Sequence, residues 1–211
     1  MSSFLEIENI TKSYDRIVID SLNFSIEKGS FVSIFGKSGS GKSTLLYIMG
    51  GLLKPDSGKV YCESRNIYLN PESYRREKVG FVFQFFHLIP QLSVYENVLL
   101  PLKLLSIVPD QDKIFSLFEK FGISNLLESF PKTLSGGEKQ RVAVLRALSK
   151  SPDILFCDEP TADLDRNNAN FVFDVIKEFN RNGGTVLLVT HDSSLLYGKI
   201  YELVNGKLRK I

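Results

Sequence analysis

The chain contains 211 residues, of which 43% are hydrophobic and 24% charged, and its formal net charge at pH 7 is +2. This length suits one domain, expected over residues 1–211, and the composition excludes an intrinsically disordered chain. The small net charge argues against the concentrated basic face that nucleic-acid binding requires, so we expect no nucleic-acid partner.

Cysteine content and apolar segments indicate the cellular compartment of the chain and how it could associate with a membrane. Cys62 and Cys157 cannot form a disulfide framework, and Cys157 lies in an apolar run where a buried small hydrophobe is expected, which fits a reducing cytoplasm. The N-terminus lacks the basic flank and apolar stretch of a signal peptide. The apolar segment 98–108 is interrupted by polar residues and is shorter than the roughly 20 residues that span a bilayer. Any membrane association is therefore expected to come through a partner chain.

The first part of the chain predicts strands around one helix. Alternating or continuous apolar residues predict strands at Phe4–Ile10, Leu22–Ile26 and Phe31–Phe35. A glycine-rich loop follows, and a helical pattern extends from Gly41 to Met49, where two glycines end it. After a turn at 54–58, strands are predicted near 60–61 and at 79–83.

The second part begins with a segment of different character. Apolar residues at helical spacing predict helices at Val94–Leu105 and Lys113–Phe121, so residues from about 85 to 150 are predicted to form a helical lobe. The sheet resumes at Ile154–Asp158, followed by a helix at Asn168–Asn180 and a strand at Thr185–Val189. A terminal hairpin is predicted at 200–211, with its turn at Asn205-Gly206. Alternating strands and helices predict an α/β core with a mainly parallel sheet.

Gly36–Ser43, with the sequence GKSGSGKS, matches the phosphate-binding pattern GxxxxGK[ST] at every specified position. The glycines allow backbone N–H groups to surround an anion, and the following helix N-terminus adds partial positive charge. Lys42 is expected to reach the β- and γ-phosphates, and the Ser43 hydroxyl to hold Mg²⁺. The alternative is a purely structural glycine-rich turn.

Two consecutive carboxylates end the predicted strand Ile154–Asp158. In a protein with a phosphate-binding loop, a carboxylate at such a strand end faces the bound metal, so Asp158 is predicted on the Mg²⁺ side. Glu159 is predicted to face the attacking water, either as general base or as the residue that positions the water. Its alternative role is a negative charge that favours the following helical turn.

The segment Leu134–Arg141, LSGGEKQR, completes a set of three motifs. Together with Gly36–Ser43 and Ile154–Glu159, in this order and spacing, it resembles the ATP-binding subunit of ATP-binding-cassette (ABC) transporters over nearly the whole chain. The resemblance implies a P-loop NTPase (RecA-like) core, an N-terminal antiparallel β subdomain and an inserted α-helical subdomain at about 85–150. It also implies ATP hydrolysis, with ATP and Mg²⁺ bound.

The same resemblance assigns roles that spacing alone does not. Gln84 matches the Q-loop glutamine that contacts metal and water, His191 the switch histidine at the γ-phosphate, and Tyr14 the aromatic residue that stacks on adenine. Taken alone, each of these is more often a structural or surface residue. The predicted catalytic residues are Lys42, Gln84, Glu159 and His191. The predicted metal ligands are Ser43, Gln84 and Asp158. The predicted phosphate-binding residues are Gly36, Lys37, Ser38, Gly39, Ser40, Gly41, Lys42, Ser43 and Thr44.

Ser135, Gly136 and Gly137 resemble a second phosphate cradle at the start of a helix that extends through Ala147. In the family, this signature of one copy covers ATP on the phosphate-binding loop of the other, in a head-to-tail homodimer that forms on ATP binding. Asp165 matches the D-loop aspartate of that interface. The alternative for the signature is an N-capped helix without further function.

The apolar segment Phe85–Pro90 favours docking of a partner helix, although part of it is expected to pack against the helical lobe. With residues 94–102, it resembles the bacterial branch of lipoprotein-release and macrolide-export ATPases. This implies integral membrane permease subunits on separate chains and a peripheral location on the cytoplasmic face of the inner or plasma membrane. Two alternatives stay open: a cell-division ATPase that regulates envelope hydrolases, and a soluble ABC ATPase acting on nucleic acid, ribosomes or metal-cluster assembly.

Overall fold

The computed structural model describes residues 3–211, so Met1 and Ser2, to which the signal-peptide argument extends, lie outside the described residues. Within this range the strands form a four-stranded and a six-stranded sheet. One apolar core lies between the two sheets around the first helix, and a second lies beneath the helices that follow the middle of the chain.

The smaller sheet is antiparallel and N-terminal. Its strands are β1 (Ser3–Ser13), β2 (Ile17–Glu27), β4 (Ser57–Cys62) and β5 (Arg65–Asn66), in the order β2-β1-β4-β5. Leu5 and Ile7 alternate with exposed residues and are buried, as the period-2 pattern predicts. After an irregularity in the pairing with β2 between Ile7 and Ile10, Ile10 is buried as well, so one face of this sheet packs on the core. Both β1 and β2 are longer than predicted, because their antiparallel pairing continues through Lys12 with Ile19 and Ser13 with Ile17.

The larger sheet is mainly parallel. Its strands are β3 (Phe31–Phe35), β6 (Val79–Val82), β7 (Ile154–Asp158), β8 (Thr185–Thr190), β9 (Lys199–Val204) and β10 (Lys207–Lys210), in the order β10-β9-β3-β8-β7-β6. All neighbours pair in parallel except the predicted hairpin of β9 and β10. The carboxyl ends of β3, β6, β7 and β8 therefore meet at one edge of the sheet.

The helices are α1 (Lys42–Met49), α2 (Pro71–Lys78), α3 (Val94–Leu104), α4 (Gln111–Lys120), α5 (Gly136–Leu148) and α6 (Arg166–Arg181). The helices α3, α4 and α5 lie between β6 and β7 in the chain, and no strand interrupts them within the described residues, which confirms the predicted all-helical segment. Its core includes Val98, Phe118 and Val142, all of them fully buried. None of the helices in residues 3–211 is both long and apolar enough to cross a bilayer.

Three details differ from the predictions. The helix α2 was not predicted. Its Arg75 donates to the Gly51 carbonyl, and its Lys78 forms an ion pair with Asp153 at 2.7 Å. The helix α6 begins two residues before the predicted start. Cys157 is fully buried as predicted, and burial raises the pKa of its thiol.

Candidate functional site

The loop between β3 and α1 surrounds the ammonium group of Lys42. Its Nζ donates to the carbonyl oxygens of Gly36 at 2.8 Å and Lys37 at 3.1 Å, and only 6% of the side chain is exposed. Burial lowers the pKa of Lys42, while the carboxylates of Glu159 and Asp158 act in the opposite direction. The cation is thus placed inside the curved loop, where an incoming phosphate would meet it.

Gly41 immediately precedes α1, and its backbone conformation does not suit any other residue type. Its φ is +99°, and an added Cβ would lie 2.6 Å from a methyl group of Val18. Left-handed backbone is favourable for glycine alone among the ordinary residues at so large a φ. The predicted phosphate-binding loop therefore has the required shape, with its N–H groups at the start of α1.

Asp158, at the end of β7, is 6% exposed, and its two carboxylate oxygens are held by residues of α1. The Ser43 hydroxyl donates to Oδ1 at 2.8 Å, and the Tyr47 hydroxyl donates to Oδ2 at 2.7 Å. Mg²⁺ in proteins is held by one or two oxygen side chains together with substrate phosphates. A hydroxyl and a carboxylate side by side next to the phosphate-binding loop fit that ion, which Ser43 and Asp158 would hold.

Glu159 faces a different set of groups from Asp158. Its Oε1 lies 2.9 Å from His191 Nδ1 and 3.9 Å from Lys42 Nζ, and its Oε2 accepts a hydrogen bond from Thr190 Oγ1 at 3.1 Å. These groups come from α1, β7 and the end of β8. The carboxylate is thus fixed beside the buried cation, as a base acting on a water near the terminal phosphate would need to be.

A cavity of about 490 Å³ joins these groups. Its lining residues are Val18, Ser38, Gly39, Gly41, Lys42, Ser43, Thr44, Gln84, Glu159 and His191. Gln84, beyond the end of β6, also approaches Asp163 Oδ2 with its Nε2 at 3.5 Å. Nearly all the predicted phosphate, metal and catalytic residues thus lie in or next to one cavity, at the carboxyl ends of parallel strands, where ligands bind in open α/β sheets.

Tyr14 and the signature residues lie elsewhere. Tyr14 is 59% exposed in the turn between β1 and β2, and Val18, not Tyr14, is the residue of this region that lines the cavity. Ser135 and Gly136 are exposed at the start of α5 and do not line the cavity either. Within one chain, the second phosphate cradle and the first are therefore separate.

The signature has the geometry of a capped helix N-terminus. The Ser135 hydroxyl accepts from the Glu138 N–H at 3.3 Å, and Glu138 Oε2 accepts from the Ser135 N–H at 2.7 Å, which is a capping box. Hydrogen bonds from the hydroxyl and N–H of Ser135 lower the pKa of Glu138. The cap does not use the N–H groups of Gly136 and Gly137, so these groups can take an anion.

Asp165 caps α6 by accepting from the N–H groups of Asn167 and Asn168, and these hydrogen bonds lower its pKa. The Asn168 amide also accepts from Arg141 at 2.9 Å and lies directly against Gly137, where an added Cβ would collide with it. The start of α6, with Asp165, and the start of α5, with the signature, are therefore packed together as one surface.

Three contacts at the site were missed by the sequence reasoning. Tyr47 binds Asp158, Thr190 binds Glu159, and Gln140 donates to the Pro160 and Phe83 carbonyls beside the carboxylate pair. The contact of Tyr47 was weakly predictable, because a tyrosine in a helix next to a phosphate-binding loop has a hydroxyl that needs a hydrogen-bond partner. Nothing in the sequence indicated the contacts made by Thr190 and Gln140.

Comparison with known proteins agrees with the resemblance found in the sequence. The family model described as ABC transporter matches residues 19–162. The lipoprotein-releasing system ATP-binding protein LolD of Aquifex aeolicus is 41% identical, covering 99% of this chain and 97% of that protein. A putative hemin import ATP-binding protein, HrtA of Staphylococcus haemolyticus, is 38% identical over 97% of this chain and 98% of its own length.

Among solved structures, the fold is shared with the ATP-binding cassette MJ0796. Its dimeric structure in a post-hydrolysis state, bound to ADP and Pi, has a TM-score of 0.90 and 36% identity, and covers 98% of this chain and 97% of that chain. A second dimeric structure of the same cassette also has a TM-score of 0.90. These matches confirm the predicted fold, including the antiparallel N-terminal sheet.

Proposed function

Since this chain belongs to the ABC transporter family of ATP-binding proteins, we propose that it is the subunit that energises an export system whose membrane subunits are separate chains. As a member of that family, it binds nucleotide and is an ATPase. The observation that carries the proposal is the convergence of Lys42, Ser43, Asp158, Glu159 and His191 around one cavity.

The residues of the cavity suit hydrolysis of the terminal phosphate. Lys42 would bind the β- and γ-phosphates, and Glu159 would orient the attacking water and take its proton. His191, held against Glu159, would contact the γ-phosphate, and Gln84 would contact both water and metal. Mg²⁺, held by Ser43 and Asp158, would neutralise charge on the phosphates.

The exposed signature supports a head-to-tail homodimer as the hydrolysing form. Ser135 and Gly136 are exposed away from the chain's own cavity, so the start of α5 is suited to cover ATP bound to a second copy. Asp165 would lie at the same interface. Both structures of one relative, the cassette MJ0796, are dimeric.

The segment after Gln84 supports contact with a membrane subunit. Phe85 is 71% exposed, and the following residues connect the cavity to α3 of the helical lobe. An exposed aromatic side chain one residue from the site suits a helix of a partner subunit docking there. The chain would then lie peripherally on the cytoplasmic face of the membrane.

Lipoprotein or peptide and drug export is the transport class we favour. Several relatives of about 40% identity are named as lipoprotein-releasing ATP-binding proteins, whereas a relative of similar identity is named for hemin import. Cargo contacts would lie on the membrane subunits, so the choice of cargo belongs to the partner. A cell-division ATPase that regulates envelope hydrolases is the alternative within the same branch.

Affinity capture tests this proposal. The Glu159→Gln variant, which we expect to retain ATP, is captured from native membranes with ATP and Mg²⁺. Lys42→Ala, which we expect to bind nucleotide poorly, is the control. A polytopic membrane protein with a large extracytoplasmic domain is expected with Glu159→Gln. A partner linked to cell-wall hydrolases would favour the division alternative, and soluble partners or ribosomes alone would contradict the membrane proposal.

A further inference from the structure

Tyr47 makes a contact that the proposed mechanism does not use. It lies one helical turn after Ser43 on α1, and its hydroxyl donates to Asp158 Oδ2 at 2.7 Å while Ser43 donates to Oδ1. Both oxygens of the carboxylate therefore accept hydrogen bonds from side chains of the same helix. Since Asp158 is 6% exposed, water has little access to replace either donor.

The Tyr47 side chain is fixed in this position. Its ring packs on the Phe83 ring with centroids 6.1 Å apart, and its backbone carbonyl accepts from Leu52 and Leu53 at the end of α1. A fixed donor of this kind sets the rotation of the carboxylate.

We propose that Tyr47 is a positioning residue, whose hydroxyl orients the Asp158 carboxylate for the metal bound with ATP. This rests on the proposed function, in which Ser43 and Asp158 hold Mg²⁺. With Ser43 and Asp158 as the residues that would hold the metal, the Tyr47 hydrogen bond would keep Oδ2 occupied and leave Oδ1, on the Ser43 side, free for the ion. Outer donors of this kind affect metal affinity as strongly as some ligands do.

Two other tyrosines near the same helix provide a comparison. The Tyr68 hydroxyl donates to the carbonyls of Ile48 and Leu53, and the Tyr74 hydroxyl donates to the carbonyl of Met49. These two phenols hold the carboxyl end of α1 through its backbone. Tyr47 is the one of the three that reaches a carboxylate of the site, so a purely structural role predicts equal effects for all three.

The test is Tyr47→Phe, made in the Glu159→Gln background so that hydrolysis does not interfere. Binding of ATP is measured by calorimetry in EDTA and with increasing Mg²⁺, and Mn²⁺ binding to the ATP complex is measured by electron paramagnetic resonance. We expect the apparent affinity for Mg²⁺ and Mn²⁺ to fall about tenfold, with ATP affinity in EDTA changed less than about twofold. Tyr68→Phe is the matched control, and its metal affinity should remain that of the background.

The outcomes separate the two proposals. If Mg²⁺ does not strengthen ATP binding in the Glu159→Gln background itself, the metal site of the proposed function is wrong, and this inference with it. If Mg²⁺ does so but Tyr47→Phe leaves metal affinity unchanged, or lowers ATP affinity equally in EDTA, then Tyr47 does not orient the metal-side carboxylate. An equal loss of metal affinity in Tyr68→Phe would also contradict the inference, since that hydroxyl does not touch Asp158.

Discussion

Glu159 follows the last residue of β7 and adopts a left-handed backbone conformation, with φ of +47°. Consecutive residues in a strand point to opposite faces, so Asp158 points toward α1. The left-handed turn after the strand then directs Glu159 toward Lys42 and His191. Such a conformation is costly for a residue with a Cβ and is characteristic of functional positions.

This geometry makes Glu159→Gln informative, because glutamine keeps the size of the side chain but cannot accept the proton of water. We expect ATP turnover to fall by about 10²–10⁴-fold, the usual contribution of a general base, with ATP binding retained. Steady-state phosphate release and equilibrium nucleotide binding measure the two effects. Glu178→Gln, which alters an exposed carboxylate paired with Lys120, is the control. Normal turnover by Glu159→Gln would contradict the general-base assignment.

Single residues were predictable from sequence where the chemistry is local. Lys42 and Ser43 belong to one contiguous motif whose loop and helix are adjacent, so their positions follow from the pattern. The contact of Tyr47 with Asp158 joins residues 111 positions apart and depends on how α1 packs against β7. No spacing rule relates two such positions, and the structure alone shows that they meet.

Arg146 connects two elements that the sequence presented as separate. Near the end of α5, its guanidinium donates to the carbonyls of His87 at 2.6 Å and Phe86 at 2.8 Å. These two residues are in left-handed conformation, with φ of +48° and +52°. The helix that begins at the signature thus holds the loop that follows Gln84, and burial lowers the pKa of Arg146 to about 10.

We expect Arg146→Met to release this loop while α5 itself stays folded. Loss of hydrogen bonds from a charged donor to two partly buried carbonyls should lower the free energy of unfolding by about 2–3 kcal/mol. Amide exchange of residues 85–88 should accelerate more than exchange in α5. Urea unfolding and hydrogen exchange measure the effects, with Arg181→Met, at the exposed end of α6, as the control. Equal behaviour of the two variants would show that Arg146 does not hold the loop.

Elements were predictable in proportion to their apolar content. The strands β3 and β7 were found because they are buried on both faces and read as continuous apolar runs. The helix α2 was missed because six of its eight residues are polar or charged and Tyr74 is its one buried residue. Its start was nonetheless signalled by Asn70, which caps the helix, and Pro71 at the first position. The helix α6 likewise begins directly after its capping residue, Asp165, which places its start two residues before the predicted one.

Over the whole molecule, the two phosphate-binding segments lie on different surfaces. The cavity at the carboxyl ends of the parallel strands contains Lys42 and Glu159, whereas Ser135 and Gly136 are exposed at the start of α5. The glycine-rich character of the two segments does not show this separation, which only the family resemblance implied. In the proposed function, it is the reason that a complete site would require a second copy of the chain.

A substitution at Gly136 should disable the signature at the start of α5 without disturbing the fold. Among the described residues, nothing lies within 4 Å of a Cβ added at Gly136, whereas Gly137 is in contact with Asn168. Gly136→Asp therefore fits sterically, and an acidic residue in the first turn of a helix is locally favourable. Its carboxylate would repel the phosphates of ATP bound to a partner copy.

Mixing Gly136→Asp with Lys42→Ala then tests the composite site. Each variant alone has two defective sites in a head-to-tail dimer, and we expect almost no ATP turnover from either. In a mixed dimer, both defects fall in one site, and the intact loop of one copy meets the intact signature of the other. An equal mixture that exchanges freely should therefore recover about a quarter of the unmodified turnover, because half of the dimers are mixed and each has one of two sites intact. If each chain hydrolyses ATP with its own signature, mixing restores nothing, and turnover stays at the level of the separate variants.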